Sequence, residues 1–341
     1  MMNAQPDSRF IQLTDWLQSQ LASTDFQIEP ASADASFRRY FRVRRQEESL
    51  IVMDAPPDKE DSHPFVRIAG YLNAMHINAP RVLAENYNDG FFLLSDLGHS
   101  HYLAVLNPHN AQQLYADAMQ VLLTIQQHGA VYLRGLPVYD QALLLREMHL
   151  FRDWYLQKHL GMALSAAQLG VLDATFAFLA EQALAQPRVF VHRDYHSRNL
   201  MHVEQAGHNP GVLDFQDAVA GPLTYDLVSL LRDCYIEWPR AQVHEWLLDY
   251  HRKLHGAGLF LAVNQEQFLR WFDLMGIQRH LKASGIFARL NHRDGKPGYL
   301  NDIPRTLGYI LQVAPDYVEL HAFLALLDEL AIPARLHSVS A

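Results

Sequence analysis

Residues 188–203 read RVFVHRDYHSRNLMHV, and four side chains in and just beyond this stretch could do chemistry: His192, Asp194, Asn199 and Asp214. The apolar run Val189–Val191 has the texture of a β-strand that delivers His192 and Asp194 to a loop. Asn199 follows Asp194 by five residues, and Asp214 closes the next short apolar run, GVL. A base that receives a hydroxyl proton, with hard oxygen ligands for Mg²⁺, is the set that phosphoryl transfer calls for. In that assignment Asp194 is the base, Asn199 and Asp214 are the metal ligands, and His192 braces the loop by hydrogen bonding. A lone H-x-D triplet is a weak signal and is also found in ordinary polar loops between strands. The ordered set of four is far more specific. A rival assignment makes His192 and His196, with Asp194, a hydrolytic metal site; their i, i+4 spacing suits a helix, whereas RVFV argues for a strand.

The triplet occurs twice. Residues 292–294 also spell HRD, in ARLNHRDGKPGY, but five residues beyond Asp294 stands Tyr299 and no strand-like run leads in. Gly295, Pro297 and Gly298 mark a loop there, which interrupts the helical texture over NHRDGKPGYLND. Arg289, His292, Arg293 and Lys296 gather positive charge around it. That cluster is either a solvated basic loop or a partner for an anionic group, since arginine grips a carboxylate bidentately.

Elements that could position these residues follow from periodicity. Phe10, Leu13, Leu17 and Leu21 recur at helical spacing over 8–22. FRRYFRVRR and SLIVMDAPP read as strands, PFVRIAGYLNAMHI as a helix, and PRVLAENYNDGFFLLSDLG as two strands joined at Asn88-Asp89-Gly90. After Gly98 the pattern is helical, with a long continuous helix expected over YDQALLLREMHLFRDWYLQKHL. Only RVFVH and PGVLDF interrupt it as short apolar runs. The expected division is a sheet-bearing segment, 1–97, and a larger helical one, 98–341. Trp238, Tyr235 and Trp271 could stack on a sugar face, although core packing is the plainer role for each.

The 341 residues carry a net charge of −9 and are about half apolar, which supports a sizeable core and argues against nucleic acid as a partner. The single cysteine, Cys234, excludes an internal disulfide. No signal-like segment and no apolar run near the roughly 20 residues of a membrane span is seen, so a cytoplasmic protein without a membrane partner is expected. The 19 histidines are scattered singly.

Taken together, DASFRRYFRV (34–43), LIVMDAPPDKED (50–61), VHRDYHSRNLM (191–201), GVLDFQDAVAGPLTYDLVSLLRDCYIEWP (211–239) and GIFARLNHRDGKPGYL (285–300) resemble the aminoglycoside phosphotransferase family. Within it, the extended similarity points to the branch of anomeric N-acetylmuramate/N-acetylglucosamine kinases of peptidoglycan recycling. The resemblance implies an α+β, two-lobed protein-kinase-like fold, with a small N-terminal sheet lobe and a larger, mostly helical C-terminal lobe. It implies ATP and Mg²⁺ as cofactors, a small-molecule sugar as acceptor and no obligate protein partner. The nucleotide loop falls to SADASFRRYF, giving Ser36, Phe37 and Arg38 as nucleotide-binding candidates, and the backbone of Ser95, Asp96 and Leu97 would meet adenine. Asp226 matches the family's helix-starting aspartate and is assigned a scaffold role beside His192. Arg289 and Arg293 are the acceptor-binding candidates, facing a lactyl carboxylate.

One departure stands out. The family places a lysine on the third strand to grip the phosphates, and this chain has Met53 and Asp54 there. Lys59 or an arginine of FRRYFRVRR must then supply the charge, or the chain is a kinase-shaped binding module without activity. A third alternative keeps the kinase and changes the acceptor to an aminoglycoside, a choline-like alcohol or a protein side chain; the polycationic aminoglycosides suit a basic pocket poorly.

Overall fold

The computed structural model describes residues 7–33, 37–205 and 207–337. In chain order the elements begin with α1 (Ser8–Leu21), β1 (Gln27–Ala33), β2 (Arg39–Arg45), β3 (Glu48–Asp54), α2 (His63–Ala74), β4 (Val82–Asn86) and β5 (Phe91–Ser95). There follow α3 (Tyr102–Val105), α4 (Ala111–His128), α5 (Gln141–Leu150), α6 (Ala166–Leu184), β6 (Arg188–Val191), β7 (Leu200–Met201), β8 (Gly211–Val212) and β9 (Val219–Pro222). The chain ends in α7 (Tyr225–Leu231), α8 (Arg240–Gly256), α9 (Gln265–Asp294), α10 (Ile303–Val313), α11 (His321–Glu329) and α12 (Ile332–His337).

Two compact units result: 1–100 with 201–217, and 101–200 with 218–341. The division differs from the split after residue 97 in two respects: the boundary falls after residue 100, and one later segment changes sides. The segment 201–217, expected in the helical part, groups with the sheet, because Val212 N–H donates to Asn78 O at 2.8 Å and Phe215 stacks on Phe65 of α2.

The first unit is built on a five-stranded antiparallel sheet in the order β1-β2-β3-β5-β4. Period-two alternation puts Val43, Leu50, Val52, Phe91 and Leu93 on one face, where they pack with Leu13 and Leu17 of α1. That helix starts where the Asp7 carboxylate accepts the Arg9 N–H.

The second unit is mostly helical and is organised around α9, about 45 Å long at 1.5 Å per residue. It packs against α5, α6, α7 and α10. The sequence reading ended this helix too early: HRD at 292–294 is its last turn rather than part of a loop. The stop is Gly295, left-handed at φ 64, whose N–H reaches Leu290 O. The reading also missed a change of pitch. After Leu150 the α5 helix widens into a π-helical segment, Phe151–His159. Gly285 of α9 lies against the backbone there, where a Cβ would stand 2.2 Å from Leu150 C and 2.5 Å from Phe151 N. Both short sheet pieces flank the chemistry-bearing loop: β6 pairs antiparallel with β9, Val191 opposite Val219, and β7 pairs with β8.

Candidate active site

Strand β6 is buried from Val189 onward and carries the chain directly into His192. The backbone N–H of His192 donates to Asp226 Oδ2 at 2.6 Å and that of Arg193 donates to Asp226 Oδ1 at 2.9 Å. Two successive amides thus converge on one carboxylate, with Arg193 in the left-handed region at φ 80. Such a conformation costs about 1–2 kcal/mol for a residue with a side chain, and the anchor on Asp226 holds it. Asp226 stands in the first turn of α7, buried from solvent. Burial pushes its carboxyl up to about 7, against the two amide hydrogen bonds and the charge of Arg279.

Past this anchor the loop folds on itself. His196 N–H donates to Asp194 O at 3.0 Å, Asn199 N–H to His196 O at 2.9 Å, and Asn199 Nδ2 to Asp194 O at 3.0 Å. Asp194 N–H donates to His192 Nδ1 at 3.3 Å, which fixes that ring nitrogen as an acceptor. His192 is fully buried in this bracing role, so the geometry disfavours its use as a metal ligand. A second carboxylate ties down the far side: Asp233 Oδ2 accepts the Ser197 N–H at 2.9 Å, and its Oδ1 accepts the Tyr235 N–H at 2.8 Å.

Beneath the loop lies a charged network that the sequence reading did not find. Glu147 of α5 pairs with Arg193 at 2.5 Å and with Lys282 of α9 at 3.2 Å, and it accepts the Tyr139 hydroxyl hydrogen bond. Lys282 Nζ also donates to Tyr225 Oη at 2.9 Å. Burial works against ionising Asp194, but Lys282, His196, Arg279 and Arg193, in that order, outweigh it and hold the carboxyl below its ordinary range. The same balance holds Glu147 low, with Lys282 and Arg193 overcoming burial. Asp194 is therefore a carboxylate, the form a base requires.

In the first unit, Asp214 follows β8 at φ 61, and its Oδ1 accepts from Gln216 Nε2 at 2.7 Å. Of the nucleotide-binding candidates, Ser36 lies outside the described residues. Phe37 is exposed and its N–H donates to Glu60 Oε1 at 3.2 Å, while buried Arg38 pairs with Glu60 at 3.3 Å. The Asp96 side chain is occupied structurally. It accepts from Arg42 Nε at 2.6 Å, Ser49 Oγ at 2.5 Å and Gly98 N at 2.9 Å. Ser95 exchanges hydrogen bonds with Arg81, and Leu97 packs over the Cα of Gly211.

Where the family lysine was expected, Met53 and Asp54 are both completely buried. Asp54 accepts from Arg9 Nε at 3.0 Å and Arg39 Nε at 2.9 Å, so an ion-paired acid occupies the end of that strand. Arg42 is held by Asp96, Arg44 by Glu29 at the surface, and Lys59 pairs with its exposed neighbour Asp58.

The two acceptor candidates stand apart from the loop network. Arg293 pairs with its own neighbour Asp294 at the exposed end of α9, and half-buried Arg289 has its charge disfavoured by burial and by Arg293. Of the aromatics, Trp271 is core and Trp238 donates to Tyr115 Oη at 2.8 Å. Tyr235 lies under the guanidinium of Arg198, 3.6 Å from ring centroid to Cζ.

Residues 27–261 match the model of the phosphotransferase enzyme family. The chain belongs to that family. It is 48% identical over 336 residues to a Pseudomonas aeruginosa N-acetylmuramate/N-acetylglucosamine kinase, covering 95% of this chain and 98% of that one. A Neisseria meningitidis protein of the same name is 42% identical, with 94% and 96% covered. Among solved structures, a Plasmodium vivax ethanolamine kinase aligns with a TM-score of 0.62 at 12% identity, covering 90% of each chain. An ADP-bound aminoglycoside phosphotransferase, APH(2'')-Ib, aligns at 0.57 and 14%, covering 87% of this chain and 97% of that one. At such identities these share the fold, which is kinase-like: an antiparallel sheet unit and a mostly helical one. Among the described residues no helix is long and apolar enough to cross a membrane.

Proposed function

We propose that this protein is an ATP-dependent sugar kinase that phosphorylates the anomeric hydroxyl of N-acetylmuramate and N-acetylglucosamine, as expected of an enzyme of peptidoglycan recycling. The observation that carries this reading is Asp194, held ionised on a loop pinned at both ends by buried carboxylates, Asp226 and Asp233. Near full-length similarity to kinases named for those two sugars supports the acceptor.

In the reaction the Asp194 carboxylate takes the proton of the C1 hydroxyl while its oxygen forms the bond to the γ-phosphorus and the bond to ADP breaks. An anomeric hydroxyl is more acidic than an ordinary alcohol, so the base has modest work to do. Positioning and charge neutralisation supply most of the barrier reduction. Asn199 and Asp214 would hold Mg²⁺, which would supply neutralisation of the phosphate charge. The amide oxygen of Asn199 and the carboxylate of Asp214 are hard donors of the kind it takes. Mg²⁺ commonly takes only one or two carboxylates, with phosphate and water completing its shell. For the phosphates we assign Arg38. Arg38 lies within the expected nucleotide loop, is buried and is braced by Glu60, whereas Arg39, Arg42 and Arg44 pair with Asp54, Asp96 and Glu29.

The test is a kinase assay with ATP and Mg²⁺ against a sugar panel, with phosphorus NMR of the product. An anomeric phosphate on either sugar, lost in Asp194→Ala while the thermal unfolding curve is kept, is the expected result. Turnover of aminoglycosides with no sugar product, or near-normal turnover by Asp194→Ala, overturns the reading.

A further inference from the structure

The two sugars differ in one charge. N-acetylmuramate carries a lactyl ether carboxylate on C3, where N-acetylglucosamine has a hydroxyl. Recognition of that carboxylate calls for a fork of N–H donors on a rigid support.

Arg198 meets this description. It lies four residues after Asp194 in the same folded loop and one before Asn199. Its guanidinium sits 3.6 Å over the ring of Tyr235 and 5.7 Å from that of Tyr299, which in turn stacks on Phe287 at 5.7 Å. This support is registered to the loop, because one carboxylate, Asp233, accepts both the Ser197 N–H beside Arg198 and the N–H of Tyr235. Stacking engages the face of the guanidinium and leaves its in-plane N–H groups directed outward. Among the described residues Arg198 makes no ion pair, and the nearby carboxylate of Asp302 is held by Arg305 at 3.0 Å. Half-buried and set against two aromatic rings, the side chain is prepared for an anion.

Arg289 and Arg293 are the poorer candidates. On an α-helix, residues two apart point about 200° away from each other. Phe287 faces Tyr235 and Tyr299, so Arg289 faces away from them, toward the side where His292 meets His159 of the π-helical segment.

We propose that Arg198, stacked on Tyr235, is the specificity residue that binds the lactyl carboxylate of N-acetylmuramate. The inference rests on the kinase reading above, with Asp194 at the C1 hydroxyl. The lactyl carboxylate is one sugar ring away from that hydroxyl, and Arg198 lies four residues after Asp194 in the same loop.

The experiment compares kcat/KM for the two sugars in the unaltered protein and in Arg198→Met. The expected result is a shift of the ratio against N-acetylmuramate by about 10- to 100-fold, the range of a bidentate contact between charged groups. A loss shared equally by both sugars would mean that Arg198 only holds the loop, and it overturns the proposal; so does an unchanged ratio. The carboxamide of N-acetylmuramate tests the same contact without any substitution. Unaltered protein is expected to use it about 10- to 100-fold less well than the acid, and equal use overturns the proposal. If the unaltered protein phosphorylates neither sugar, the kinase reading itself fails and takes the proposal with it.

Discussion

Replacing Asp226 tests whether the active loop is held by the two amide hydrogen bonds it accepts. In Asp226→Ala the N–H groups of His192 and Arg193, bonded at 2.6 and 2.9 Å, lose a charged acceptor in a buried place. Each such bond contributes about 1.5–3 kcal/mol, so the pair amounts to about 3–6 kcal/mol. That is a large part of the roughly 5–15 kcal/mol by which domains are stable. Arg193, left-handed at φ 80, is then free to relax by about 1–2 kcal/mol, and relaxation turns Asp194 away from its working position. At pH 8, where the carboxylate is ionised, thermal unfolding should show the loss in Asp226→Ala and about half of it in Asp226→Asn, which keeps one acceptor oxygen. Phosphoryl transfer should fall by at least about 100-fold in kcat, as positioning effects of this kind do. The pH dependence carries a definite sign. Burial raises the Asp226 carboxyl from 3.8 to about 7, so between these values the folded chain binds a proton that the unfolded chain has released. Its contribution therefore declines as pH rises from about 4 to about 7, by on the order of 4 kcal/mol at 1.36 kcal/mol per unit. The stability difference between unaltered protein and Asp226→Asn should be largest near pH 4 and shrink toward pH 7. A difference flat with pH refutes the buried, raised carboxyl. An Asp226→Ala protein with native unfolding temperature and kcat refutes the anchor.

Lys282→Met removes the largest charge that keeps Asp194 ionised. The lost carboxyl–cation attraction raises the Asp194 pKa, so the acid limb of kcat/KM should move to higher pH; an unmoved profile counts against the network. The same change leaves Glu147, now 3.2 Å from Lys282, with one cation fewer. The pair is worth ~5 kcal/mol in Coulomb terms at an effective dielectric of 20, and breaking a buried pair costs about 3–5 kcal/mol, readable by denaturant unfolding. Gly285→Ala places a methyl 2.2 Å from the Leu150 carbonyl carbon, a backbone atom that cannot swing aside. A loss of about 1–3 kcal/mol or more is expected, and an unchanged denaturation midpoint would show that α9 and the π-helical segment are less tightly joined than their geometry implies.

What could be read from the sequence was local. Val189–Val191 signalled a strand, and His192, Asp194 and Asn199 fall within one loop, as their spacing suggested. Asp226 was reached only through family resemblance, because nothing in TYDLVSLL says that its carboxylate caps amides more than thirty residues earlier. Glu147 and Lys282 gave no signal from spacing, since α5 and α9 bring them together from far apart in the chain. A clue existed all the same. The run MGIQRHLKASG sets Gln278, Arg279, His280 and Lys282 among mostly small or apolar residues of one helix. A helix buried on all sides with polar groups on several faces must find partners inside the protein. Asp54 illustrates the opposite failure. Its position at the end of a strand suggested a missing lysine, but only the fold shows that Arg9 and Arg39 reach it.

The two HRD triplets show why letters alone do not define a site. At 292–294 the triplet is the last turn of α9, where backbone N–H groups are already directed at carbonyls four residues earlier. No amide there is available to grip a buried carboxylate, and Arg293 turns to its exposed neighbour Asp294. At 192–194 the chain has just left β6, and the ladder with β9 ends at Val191 opposite Val219. The next two amides therefore have no strand partner, and burial obliges them to find an acceptor. Asp226 is that acceptor, and its two oxygens set the turn at Arg193 that leads into Asp194, while Arg193 pairs with Glu147. The Asp194 carboxylate is thus positioned by the way a strand ends. The same three residues in a helix lack the one thing that this arrangement needs, unsatisfied backbone donors.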